Sequence, residues 1–226
     1  MTKTAFLFSG QGAQQLGMAR DLYDQHESVK TTFDEASKAL GYDLRALIDH
    51  DEEKLNETKY TQPAILTTSV AIMRLLNENG IKPDVVAGLS LGEYSALVAS
   101  EIIDFQEAVK LVAKRGQYMT AILKPASEKL ALELDKINFK SFELPLISNT
   151  SAKVMQEDEV KALLTHQVME PVRFYESVET MQKLGVTRFI EVGPGKVLSG
   201  FIKKIDKNAE FTNVCDIATF EALISQ

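Results

Sequence analysis

The stretch Asp84-Val85-Val86-Ala87-Gly88-Leu89-Ser90-Leu91-Gly92-Glu93-Tyr94 reads as a short buried strand over Asp84 to Ala87, a glycine turn centred on Ser90, and the start of a helix running to about Ser100. Gly88-x-Ser90-x-Gly92 between a strand and a helix is the signature of a nucleophile elbow. Glycine on both sides of the serine has a mechanical reason. The serine occupies a strained turn whose neighbours must lack side chains, so that Oγ projects above the sheet while the next N–H and the helix N-terminus face a developing oxyanion. A plainer reading uses the same letters, because Ser90-x-x-Glu93 is also a capping box. Capping alone does not call for glycine at both 88 and 92, and glycine in a first helical turn costs stability.

Working outward, Thr4 to Phe8 reads as a second buried strand, entering a loop at Ser9-Gly10. Helical patterns cover Leu16 to Tyr23, Val29 to Ala39 and Leu44 to Ile48. Pro63 is placed to open a long helix that Gly80 closes, and Pro63 to Leu76 is apolar nearly all round, as a central buried helix would be. Asp104 begins another helix. Further strands are predicted at Leu144 to Ile147, Thr187 to Val192 and Phe211 to Val214, with helices between them. Strands alternating with helices imply an α/β fold with a mostly parallel sheet flanked by helices.

The 226 residues suit one domain, or one plus a small appendage, and 45% hydrophobic with 25% charged residues is ordinary globular composition. The net charge of −7 argues against a nucleic-acid groove or a polybasic membrane surface, both of which need clustered cations. Basic pairs such as Lys203-Lys204 read as solvated helix faces. Cys215 is the single cysteine, so it forms neither an internal disulfide nor a zinc site alone; with no signal peptide or membrane-length apolar run, the expectation is a cytoplasmic protein.

Other residues suggest a site around Ser90. Gly10-Gln11-Gly12-Ala13-Gln14 follows a strand, but Gln15 stands where a dinucleotide fingerprint needs its third glycine. Either this is a plain turn, or the glycines let the Gln11 backbone approach a ligand and supply a second oxyanion donor beside the Leu91 N–H. Arg115 shares a helix face with Ala108 and Leu111, where it could clamp a substrate carboxylate or merely complement the helix C-terminus before Gly116. Gln62 and Asn149 are candidate polar site groups that also suit caps or turns, and Gly193-Pro194-Gly195 reads as a tight turn before a helix at Lys196.

Taken in order, Gly10-Gln-Gly-Ala-Gln14, Tyr60-Thr-Gln-Pro63, Gly88-Leu-Ser-Leu-Gly-Glu-Tyr94, Lys114-Arg-Gly116 and Glu191-Val-Gly-Pro-Gly195 resemble malonyl-CoA:acyl carrier protein transacylases of bacterial fatty-acid synthesis. The resemblance spans nearly the whole chain. It implies the α/β-hydrolase-like large domain of the acyltransferase fold, Ser90 as nucleophile, the N–H groups of Gln11 and Leu91 as oxyanion hole, Arg115 as clamp for the malonyl carboxylate, and Gln62 lining the site. By the same resemblance Gln167 occupies the position whose backbone carbonyl orients the catalytic histidine. No cofactor is implied: malonyl-CoA and the phosphopantetheinyl acyl carrier protein are substrates of a ping-pong transfer through Ser90.

One departure stands out. Members of that family carry a small ferredoxin-like domain followed by a Phe-His dipeptide whose histidine is the base. Here Lys114-Arg-Gly-Gln-Tyr-Met119 runs straight into Thr120-Ala-Ile-Leu-Lys-Pro-Ala126, so the resemblance implies a single large domain over residues 1–226 with a deletion junction near 118–120 and no Phe-His. The histidines present are His26, His50 and His166; the first two lie in polar stretches and read as surface groups, whereas His166 neighbours Gln167 and is the weak substitute candidate. Two readings therefore remain open: malonyl transfer to a carrier protein, or a non-catalytic large-domain scaffold that binds CoA or carrier protein without turnover. A general serine esterase fits less well, because a buried Arg115 would select carboxylated acyl groups.

Overall fold

The computed structural model describes residues 2–119 and 123–225. Five strands, β1 (Lys3–Phe8), β2 (Val85–Gly88), β3 (Leu146–Ile147), β4 (Val186–Val192) and β5 (Glu210–Val214), form one parallel sheet in the order β3-β2-β1-β4-β5. The helices are α1 (Arg20–Gln25), α2 (Glu27–Leu40), α3 (Leu44–His50), α4 (Glu52–Leu55), α5 (Thr58–Glu78), α6 (Gly92–Ala99), α7 (Phe105–Tyr118), α8 (Leu123–Leu134), α9 (Val160–His166), α10 (Phe174–Lys183), α11 (Val197–Ile205) and α12 (Ile217–Ile224). A parallel sheet covered on both faces needs strands that are apolar on both sides. β1 meets that need: Phe6 and Phe8 join the large core with α2, α5, α6 and α7, while Ala5 and Leu7 join the smaller core with α10 and α11. A mostly parallel sheet flanked by helices is the α/β architecture expected from the sequence.

Several predicted boundaries move, each for a local reason. The helix predicted from Leu16 begins only at Arg20, because Gly17 and Ala19 take positive φ values of 70° and 55° and turn the chain first. The central helix begins at Thr58, upstream of Pro63: Tyr60 and Thr61 N–H donate to the Glu57 carbonyl, so the first turn exists before proline enters. Its predicted end holds, with Gly80 at φ 78°. The strand predicted from Leu144 shrinks to Leu146–Ile147, a short edge beside β2. His26 is not a plain surface group; its ring packs edge-on against Phe220 of α12 at 5.3 Å, because the last helix folds back over the α1–α2 junction. Among the described residues no helix is long and apolar enough to cross a membrane, and no cluster of three or more His, Cys, Asp or Glu could hold a metal.

Candidate active site

The loops after β1 and β2 lie side by side at the carboxyl ends of the strands, where open parallel sheets place their ligands. Pairing of Phe8 with Gly88 brings the Ser90 turn over the end of β1, and the Leu89 N–H donates to the Phe8 carbonyl at 3.0 Å. Ser90 itself sits at φ 51°, in the left-handed region that a non-glycine residue adopts at a cost.

The capping-box reading of Ser90 and Glu93 does not survive. Among the described residues no side chain caps α6, and Glu93 makes no carboxylate bond to the Ser90 backbone. Its carboxylate instead accepts from the Asn149 backbone N–H at 2.8 Å and, on the other oxygen, from Gln167 Nε2. Asn149 in turn holds the turn at both ends: its Oδ1 accepts from the Ser90 N–H at 2.6 Å, and its Nδ2 donates to the Gly88 carbonyl at 2.6 Å. Two segments far apart in the chain thus brace one strained serine.

Arg115, on α7, is 2% exposed, and its guanidinium points into this assembly, away from the helix C-terminus. Nη1 donates to Gln62 Oε1 at 3.0 Å; Nη2 donates to Gln167 Oε1 at 3.1 Å and to Ser90 Oγ at 3.3 Å. The Tyr94 ring lies 5.2 Å below the guanidinium carbon. No carboxylate forms an ion pair with Arg115 among the described residues, and its Nε has no acceptor there. Burial pushes the Glu93 carboxyl up to about 7 and the Tyr94 hydroxyl up to about 12.

The remaining candidates fall around this centre. Gln62 is fully buried on α5 and donates from Nε2 to Gln11 Oε1 at 3.3 Å and to Met119 Sδ at 3.5 Å. Gln11 is exposed, and its Nε2 donates to Thr58 Oγ1 at 3.2 Å. The backbone N–H groups of Gln11 and Leu91 have no partner among the described residues. Gln167 engages the site through its side-chain amide, which also donates to the Ser90 carbonyl at 3.0 Å. His166, one residue away, points elsewhere: its side chain is 58% exposed and faces Glu170 at 3.9 Å. Of the junction near 118–120, Tyr118 and Met119 close α7, while Thr120 lies outside the described residues.

Against known proteins, residues 5–127 match the acyl transferase domain family. The chain is 36% identical to the malonyl CoA-acyl carrier protein transacylase of Bacillus subtilis, with 99% of this chain and 97% of the relative covered. The chain belongs to the malonyl CoA-acyl carrier protein transacylase family. Among solved structures, the MCAT of Streptococcus pneumoniae superposes with a TM-score of 0.96 at 46% identity, covering 99% of each chain. A malonyl-transacylase in complex with its type II PKS acyl-carrier protein superposes with a TM-score of 0.95 at 32% identity, again over 99% of each chain. The alignment to the Bacillus subtilis transacylase runs over 307 positions, whereas this chain has 226 residues, so that relative carries positions with no counterpart here.

Within this family framework, sequence reasoning took Glu93 only as a cap and missed Tyr94. A signal was present: Glu93 is the one charged residue in the run Leu91 to Ala99, and a lone carboxylate in a helix that proves buried must find internal donors. Asn149→Ala would orphan the Ser90 N–H and the Gly88 carbonyl together. It is expected to cost about 2 kcal/mol and lower the melting temperature by about 4–8 °C, measurable by thermal unfolding.

Proposed function

We propose that this chain takes a malonyl group from malonyl-CoA onto Ser90 and passes it to the phosphopantetheine thiol of an acyl carrier protein. The observation that carries the reading is a buried guanidinium with no carboxylate partner among the described residues, 3.3 Å from the Oγ of a serine held at positive φ. A buried cation whose one neighbouring carboxyl, Glu93, reaches it only through the Gln167 amide favours an anionic ligand in direct contact, and the planar fork of arginine suits a carboxylate. Ser90 Oγ attacks the thioester carbonyl, the carbon–sulfur bond breaks, and CoA leaves as the thiol. The Gln11 and Leu91 N–H groups are the donors for the oxyanion, supported by their having no partner among the described residues. In the second half-reaction the carrier thiol attacks the malonyl-serine ester and frees Ser90.

Proton removal is the weak step. No histidine among the described residues touches Ser90, and the side chain that does, Arg115, is a donor. The Ser90 proton therefore leaves through water, and acylation is expected to run about 10⁴–10⁶-fold below an enzyme with a paired base. We assign the difference to a single large domain whose family segment is missing at the 118–120 junction. The protein would work in the cytoplasm without a cofactor, on two soluble substrates. The same missing base favours a second reading, a scaffold that binds CoA or carrier protein without turnover.

Intact-protein mass spectrometry after incubation with malonyl-CoA separates the two. One malonyl adduct, absent in Ser90→Ala and discharged by adding phosphopantetheinylated carrier protein, supports transfer. A folded chain that binds malonyl-CoA yet never gains the adduct is the scaffold.

A further inference from the structure

Glu93 is a fully buried carboxylate that the transfer chemistry above does not use. Its two oxygens reach the two braces of the site separately. One accepts from the Asn149 N–H, and the other from Gln167 Nε2. The second contact has a directional consequence. A carboxylate can only accept, so together with the Ser90 carbonyl, which receives the same nitrogen, it fixes the NH₂ of the Gln167 amide toward itself and the amide oxygen toward Arg115 Nη2, 3.1 Å away. The same Nη2 reaches Ser90 Oγ. Gln62 holds the other guanidinium nitrogen, so the pose of Arg115 depends on two amide oxygens, and only one of them is set by a titratable group.

We propose that Glu93 is a positioning residue whose carboxylate, acting through the Gln167 amide, holds the Arg115 guanidinium in the pose that receives the acyl carboxylate beside Ser90. This rests on the reading of Arg115 as the carboxylate clamp. A protonated Glu93 needs an acceptor for its new O–H. Gln167 supplies one by turning its oxygen inward, which gives up the Nε2 bond to the Ser90 carbonyl, aims its NH₂ at the guanidinium and releases Arg115. The titratable groups facing Glu93 are Arg115 from α7 and Tyr94 from its own helix; Tyr94 stays neutral up to about 12, so the switch follows Glu93.

The protonation state also feeds into stability. Glu93 stands at about 7 in the folded chain against an ordinary 4.5, so between these values the folded state holds a proton that the unfolded chain releases. The contribution of Glu93 to stability is full below 4.5 and falls as pH rises toward 7.

The test follows the Arg115 Nε–Hε signal by side-chain NMR from pH 5.5 to 8.5 in the full chain. In the wild type it is expected to shift with a midpoint near 7 and to be flat in both Glu93→Gln and Gln167→Leu. In a Ser90→Ala background, calorimetry should show Glu93→Gln weakening malonyl-CoA about tenfold while acetyl-CoA binds unchanged. An Arg115 signal that titrates identically in Gln167→Leu, or an unchanged malonyl-CoA affinity in Glu93→Gln, overturns the inference. Should Glu93→Gln fail to fold, the wild-type titration and Gln167→Leu decide alone. Failure of the clamp reading looks different: the wild type would bind malonyl-CoA and acetyl-CoA alike while the NMR linkage persisted.

Discussion

Gly88→Ala is expected to destabilise the chain by about 3 kcal/mol or more and to lower its melting temperature by about 6–12 °C. A Cβ at Gly88 would lie 2.0 Å from the carbonyl carbon of Gly92 and 2.4 Å from the Glu93 nitrogen. Both are backbone atoms at the start of α6, so relief requires moving the helix. The helix in turn is pinned from below, because a Cβ at Gly92 would lie 2.0 Å from the Phe8 carbonyl oxygen on β1. Strand, turn and helix are in mutual backbone contact, and neither glycine can accept a methyl without opening the Ser90 turn. Gly200, inside α11 with nothing among the described residues within 4 Å of its would-be Cβ, provides the contrast. Gly200→Ala is expected to stabilise by about 0.5–1 kcal/mol through helix propensity. If Gly88→Ala melts with the wild type, the tight elbow is not what sets the fold at this point.

The elbow was legible in the sequence because everything that makes it is local: a strand, two glycines and a serine within nine residues of β2 and the start of α6. β1 was legible for the same reason, since a strand buried on both faces shows an unbroken apolar run. Helix starts were less so. Nothing in Leu16 to Tyr23 announces that Gly17 and Ala19 turn the chain first, and Pro63 misled because it tolerates a helix that starts upstream of it. Gln62, Asn149 and Gln167 were named as candidates, but the contacts that make them the polar half of the site were hidden by distance along the chain. Asn149 and Gln167 meet the Ser90 segment only when β3 docks beside β2 and α9 packs against α8, and no spacing within either segment encodes that meeting. Glu93 was in view but was given a local partner, because local partners are all that a short motif offers. Arg115 shows both sides of this. Its apolar helix face suggested burial, yet the choice between clamp and helix cap could be made only once Gln62, Gln167 and Ser90 were seen around its two terminal nitrogens.

Arg115→Ala is expected to slow formation of the malonyl adduct by about 10²–10³-fold while leaving acylation by acetyl-CoA within a few-fold of the wild type. The physical basis is selective. A malonyl group differs from an acetyl group by one carboxylate, and in a site this dry a charge-assisted, two-pronged contact contributes about 3–4 kcal/mol. The missing base slows both reactions in common, so the ratio of the two rates remains readable where the absolute rates are small. Arg115→Lys should fall between. It keeps the positive charge near Ser90, but a lysine ammonium cannot donate in parallel to a carboxylate while still meeting the Gln62 and Gln167 oxygens, and it loses much of the flat stacking over Tyr94. The measurement is the initial rate of adduct formation by intact-protein mass spectrometry with each acyl-CoA. An equal fall for malonyl and acetyl would mean that Arg115 matters by holding Gln62, Gln167 and the Ser90 hydroxyl in place. It would then be a strut of the elbow, and the carboxylate would have to be read by some other group. A fall confined to malonyl makes the guanidinium the part of the site that recognises the substrate, and places the acyl carboxylate between α5, α7 and Gln167, the elements whose side chains already surround it.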